Sequence, residues 1–233
     1  YEAILRAATR DLARYWSAEF PALYGAPYRP LGRIIAAGPT TKLPDCQGHR
    51  ISYRHDVRGN AFYCVSTNYI AYDDHDLFPS LARVFGDVAP AFVLAHEWGH
   101  AIQDRVGIGG ETPNILVELQ ADCFAGSWAQ RAAAHGSADV RLTPADLDES
   151  LAAYLSFRDT VGTTPSDERA HGDAFDRVNA FQTGFEHAAA ACKPFLDTPP
   201  PITEQQFVSS AEAASGGNLP EPQVLPSTLD LLH

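Results

Sequence analysis

Residues 91–103 read AFVLAHEWGHAIQ, an apolar run that passes straight into a cluster of two histidines and a glutamate. No turn signal interrupts it before Gly107, so the pattern predicts one helix from about Val88 to Val106, apolar on most sides and therefore buried. A helix of that kind lies at the centre of its domain. It also carries ionisable groups where unpaired charge is costly, so the surrounding chain has to supply polar partners for His96, Glu97 and His100.

The flanking sequence suggests what surrounds it. Residues 2–20 place Ile4, Leu5, Ala8, Leu12, Tyr15, Trp16 and Phe20 at helical spacing, a helix expected to stop at Pro21. From Leu31 to Tyr72 the texture is β-like, with short segments at 33–36, 51–53, 61–65 and 68–72. AFYCV and NYIAY flank Ser66-Thr67 and read as a hairpin, and the second strand, 68–72, is expected at an open edge where an extended peptide adds by backbone hydrogen bonds. Beyond Leu77 the chain is helical. Thr112-Pro113 opens a helix to about His135, Thr143-Pro144-Ala145-Asp146 resembles a capping box for a helix to about Arg158, and a last helix spans roughly 173–192 before Pro194. The expected fold is α+β: a mainly helical domain over 1–196, with a small antiparallel sheet ahead of the central helix. Residues 197–233, rich in Pro, Ser and Gly, read as a tail or linker.

Composition excludes some partners. A net charge of -12 and a pI near 5.0 argue against nucleic acid, whose phosphates need a basic stripe. No apolar run reaches the ~18 residues of a membrane-spanning segment. The sequence lacks methionine and opens at Tyr1 inside a helical pattern, as expected of a processed or excised piece of a longer product. None of its four cysteines forms a C-x-x-C pair, which favours two disulfides, an oxidising compartment and a secreted or extracytoplasmic location over four free thiols. Three pairings are open; Cys46 with Cys64 would staple the β region locally.

His96-Glu97-Trp98-Gly99-His100 is an H-E-x-x-H motif. On a helix its two imidazoles share a face one turn apart and can reach one metal ion, with Glu97 beside them as a base for the attacking water. Zinc suits this donor set, with a fourth position left open. As plain core residues the two histidines would need separate polar partners. A third protein ligand is required, and the metzincin pattern is excluded because positions 103 and 106 are Gln103 and Val106. The next helix offers Glu118 and Asp122, again on one face. One of these carboxylates can bind zinc while the other orients a ligand imidazole. The alternative, a solvated acidic face, fits poorly with the apolar surroundings NILVELQADCFAGSWA.

HEWGHAIQ, then ELQADCFAGSWA, then AHGDAFDRVNAFQTGFEHAAAAC, together with the FYC segment, resemble the neutral zinc metallopeptidase family, bacterial proteins of the gluzincin type. The resemblance spans about Leu31 to Cys192. It implies a zincin-like domain that hydrolyses peptide or protein substrates, with one catalytic zinc ion on His96, His100 and Glu118 and with Glu97 as general base. Asp122 then takes the orienting role. The pairs Cys123 with Cys192 and Cys46 with Cys64 are implied as well. His171, in the AHG segment, is the candidate to steady the oxyanion, against a reading as an exposed helix-cap residue; Tyr63, Tyr69 and Tyr154 are alternatives. Rival readings are a zinc-binding interaction module without catalysis and a hydrolase of non-peptide amides such as cell-wall material.

Other features point to no chemistry. Asp73, Asp74, His75 and Asp76 read as a solvated acidic turn before a calcium loop, and His49, His55, His135, His187 and His233 as surface residues. Trp98 reads as core packing. There is no phosphate-binding Gly-rich loop and no G-x-S-x-G elbow.

Overall fold

The structure is a computed structural model that describes residues 1–108, 112–135, 140–157, 159, 171–203 and 209–215. Helix α1 (Glu2–Tyr24) buries Leu5, Ala8, Leu12, Tyr15, Trp16 and Phe20, the stripe expected from the spacing. It does not stop at Pro21. The proline falls in the last turn, where its missing N–H costs a single bond, and the helix closes on Gly25, in the left-handed conformation, whose N–H bonds the Pro21 carbonyl.

Three strands form one sheet: β1 (Arg33–Ala37), β2 (Ala61–Cys64) and β3 (Tyr69–Asp73), in the order β1-β3-β2. The hairpin forms as expected, β2 antiparallel to β3 with Cys64 opposite Tyr69. Two expectations are corrected. The sheet is mixed, because β1 pairs parallel with β3, and β3 is therefore the central strand rather than an open edge. Its residues are all buried, consistent with a strand covered on both sides. Segment 51–53 forms no strand: Ser52 N–H donates to the Asp56 carboxylate, and Tyr53–Val57 winds into a π-helical turn instead.

Five helices complete the domain: α2 (Leu77–Phe85), α3 (Ala89–Val106), α4 (Asn114–His135), α5 (Pro144–Ser156) and α6 (Ala174–Cys192). A short α7 (Ser210–Ser215) lies in the tail. Helix α3 is central, touching α1, α2, α4, α5 and β2, and its buried face runs from Ala89 to Gln103. Thr143 and Asp146 form the expected capping box of α5. The disulfides are Cys46–Cys64 and Cys123–Cys192; the second ties α4 to the end of α6. Ile202 packs on the core and Thr203 N–H bonds the Asp176 carboxylate, so the start of the tail is held against α6. Among the described residues no helix is long and apolar enough to cross a membrane.

The closest helix pair is α4 with α6, and glycines permit it. A Cβ on Gly184 would sit 1.8 Å from the Cys123 carbonyl oxygen, and one on Gly126 would sit 2.0 Å from that of Phe181. Neither obstacle is a flexible side-chain tip. Gly184→Ala should therefore force the helices apart and destabilise the fold by about 3 kcal/mol, the upper range of overpacking. Thermal unfolding would show this as a fall of roughly 10 °C; an unchanged midpoint would contradict the close packing.

Candidate metal centre

Helix α3 turns His96, Glu97 and His100 toward α4, and Gly99 sets the distance. A Cβ at Gly99 would lie 2.8 Å from the Cα of Ala121, so the motif's glycine lets the two backbones approach. This brings Glu118 against the histidines. His96 Nε2 and His100 Nε2 are 3.1 Å apart, and the Glu118 oxygens lie 3.2 Å from the first and 3.4 Å from the second. Ligand atoms at about 2.0–2.1 Å around a tetrahedral zinc lie roughly 3.3–3.4 Å from each other. The donor set and its spacing fit zinc. Among the described residues this is the one cluster of three His, Cys, Asp or Glu side chains able to hold a metal.

A second layer holds these ligands. Asp122, fully buried on α4, accepts from His96 Nδ1 at 2.7 Å and receives a two-pronged Arg177 guanidinium from α6 at 2.8 and 2.9 Å. Arg177 also donates to the Phe157 carbonyl. His100 Nδ1 meets the Gln103 side-chain oxygen at 2.8 Å. Arg177 and Gln103 escaped the sequence reading, although Gln103 stands one helical turn after His100 and Arg177 interrupts an apolar face.

The electrostatics favour a cation. Burial opposes a charge on His96, yet the carboxylates of Asp122 and Glu118 push its pKa up to about 10. A field that strongly favours a proton there also favours a divalent ion. Burial would raise Glu118, but the His100 and His96 charges hold its carboxyl well below the usual range. Glu97 goes the other way: burial raises its pKa, only partly offset by His100 and His96.

All four groups open onto one cavity of about 460 Å³. His171 also lines it, exposed in the segment just ahead of α6 with Nδ1 3.6 Å from Asp159, which in turn accepts from the His171 and Gly172 backbone N–H groups. Tyr154 borders the cavity, but its hydroxyl points to the Phe92 carbonyl. The hydroxyls of Tyr63 and Tyr69 are engaged elsewhere, with Asp104 and with the Pro44 carbonyl.

The acidic turn has a different job from either one expected of it. The buried Asp73 carboxylate accepts from the N–H groups of Gly59, His75, Asp76 and Leu77 and from the Tyr53 hydroxyl. Burial would raise its pKa, but these donors hold it low and leave no lone pair for calcium. His49, His55 and His187 lie at the surface, and Trp98 is buried with its N–H on Tyr28. The His135 side chain and His233 lie outside the described residues.

An H-E-x-x-H helix crossed by a helix bearing a buried glutamate defines the class: a mainly helical domain with a candidate metal site. Residues 55–195, well over half of the chain, match the family described as "Putative neutral zinc metallopeptidase", and the chain belongs to it. It is similar to the uncharacterized protein Rv2575 of Mycobacterium tuberculosis, 33% identical over 150 residues that cover 54% of this chain and 51% of that protein. It is also similar to the uncharacterized protein YpfJ of Escherichia coli K12, 31% identical over 157 residues, 58% of this chain and 53% of that one. The chain thus spans about half the length of these curated relatives. No solved structure matches it significantly.

Proposed function

We propose that the chain is a zinc metallopeptidase, in which His96, His100 and Glu118 hold one catalytic Zn²⁺ and Glu97 is the general base. The observation that carries this reading is the tetrahedral spacing of three donors, buried His96 and Glu118 and half-buried His100, beside a carboxylate that is not one of them. When bound, zinc would polarise the scissile carbonyl and acidify the attacking water. Glu97 takes that water's proton and passes it to the leaving amine, a task suited by a carboxyl whose pKa burial has raised. Asp122 keeps His96 oriented through Nδ1. His171 donates to the carbonyl oxygen as it becomes negative, help typically worth roughly 3 kcal/mol of barrier.

The peptide adds to the free edge of β2. The Asn60 carbonyl bonds Asp73 N–H on the inner side, and the alternation along the strand leaves Ala61, which lines the cleft, with its backbone groups turned outward. The peptidase domain is residues 1–196, with 197–233 an attached tail, and its two disulfides suit a secreted or extracytoplasmic protein.

Purified protein should cleave a quenched peptide library, lose the activity when zinc is stripped by a chelator, and regain it at one equivalent of added zinc. Cleavage that persists without metal would end this reading. A protein that binds zinc tightly and cleaves nothing would instead be a binding module.

A further inference from the structure

We propose that Gln103 and Gln120 are positioning residues: together they form a one-way chain of amide hydrogen bonds that places the His100 proton on Nδ1 and turns its Nε2 lone pair into the metal site. The inference rests on His100 being a ligand, and it follows from what each amide can donate and accept.

The direction of the chain is set at its far end. Gln120, on α4, reaches the main-chain carbonyls of Cys192 at 3.1 Å and Lys193 at 3.4 Å. Carbonyls only accept, so the group facing them is the Gln120 NH₂, and its side-chain oxygen points back toward α3. That oxygen is 3.1 Å from Gln103 Nε2, which also donates to the Val117 carbonyl at 2.7 Å. Both donors of Gln103 face acceptors, so its oxygen is left for His100 Nδ1 at 2.8 Å. An oxygen there requires the proton on Nδ1. Reversing either amide would set oxygen against oxygen at two contacts in a buried place, since Gln103 is 3% exposed and Gln120 1%. The final acceptor, Cys192, is tied to α4 by its bridge to Cys123, so the reference point moves with the helix that carries Glu118.

The two imidazoles are thus held by unlike partners, a carboxylate for His96 and a neutral amide for His100. Glu97, Glu118 and Asp122 already place three carboxyl groups in this region. An amide supplies the acceptor without a fourth.

The test compares wild type with Gln103→Met, which removes the acceptor, and Gln103→Glu, which keeps it. Zinc dissociation constants from chelator competition should rise about 10–100-fold in Gln103→Met, with Gln103→Glu closer to wild type. A purely structural role predicts the reverse order, because the buried carboxylate would face Val117 O and Gln120 Oε1 without a proton to donate. In parallel, two-bond ¹H–¹⁵N spectra of the metal-free proteins report which His100 nitrogen is protonated. Nδ1 should carry a proton in wild type and lose that preference in Gln103→Met. Should Gln103→Met fail to fold, Gln120→Met breaks the chain one link further out and should raise the dissociation constant at least threefold. An unprotonated Nδ1 in wild type overturns the proposal, as does zinc affinity unchanged in the folded methionine variant, or a glutamate variant no better than methionine. Wild type that takes up no zinc would sink the metallopeptidase reading, while the nitrogen spectrum would still decide the tautomer.

Discussion

Glu97→Gln should lower kcat by about 10²–10⁴-fold and leave one zinc bound per chain. The replacement is nearly isosteric at a buried position, so the local geometry should survive. What disappears is the ability to take a proton. Glu97 lies outside the group of His96, His100 and Glu118, so metal content should hold while turnover falls. KM should move little, because the backbone contacts proposed for the peptide lie with β2. The decisive comparison is single-turnover cleavage by both proteins at matched zinc content. Equal rates would remove Glu97 from the chemistry.

Arg177→Met should destabilise the fold by about 3–5 kcal/mol, because it leaves the Asp122 carboxylate buried without its cation. Burial alone would raise the Asp122 pKa; Arg177 and then His96 hold it below the usual range. A depressed folded pKa stabilises the protein above the unfolded value, near 3.9, and that stability is lost as pH falls through the folded value. The unfolded value is common to both proteins, so the gap between wild type and variant should close as pH falls from the variant's folded Asp122 pKa, higher without Arg177, toward the depressed value of wild type. Urea unfolding across that range measures it. Adding Asp122→Asn to Arg177→Met should recover part of the loss, since the stranded charge is gone. A single-variant loss under about 1 kcal/mol would mean that water or another group neutralises Asp122.

Much of the site was legible before the fold because its signals are local. The spacing of His96 and His100 works through one helical turn, and a buried helix with ionisable groups demands partners whatever surrounds it. Glu118 and Asp122 were legible for the same reason, as two acids on one face of an apolar helix. Arg177 was not, since nothing near it in sequence announces that α6 will lay it across Asp122, 55 residues away. Asp73 looked like part of an exposed acidic run; the return of Gly59 and Tyr53 in space made it a buried hub.

The sheet shows the same division. Alternation and turn residues predicted the β2–β3 hairpin, but the parallel pairing of β1 is a long-range choice that no local pattern encodes, and it moved the free edge from β3 to β2. On its own, then, the sequence determined which side chains could share a helical face, and so two pairs of residues fit to bind a metal or to orient its ligand. Only the tertiary structure decided how far apart those faces lie. That distance depends on glycines such as Gly99, Gly126 and Gly184, whose missing side chains matter only when another backbone arrives to fill the space.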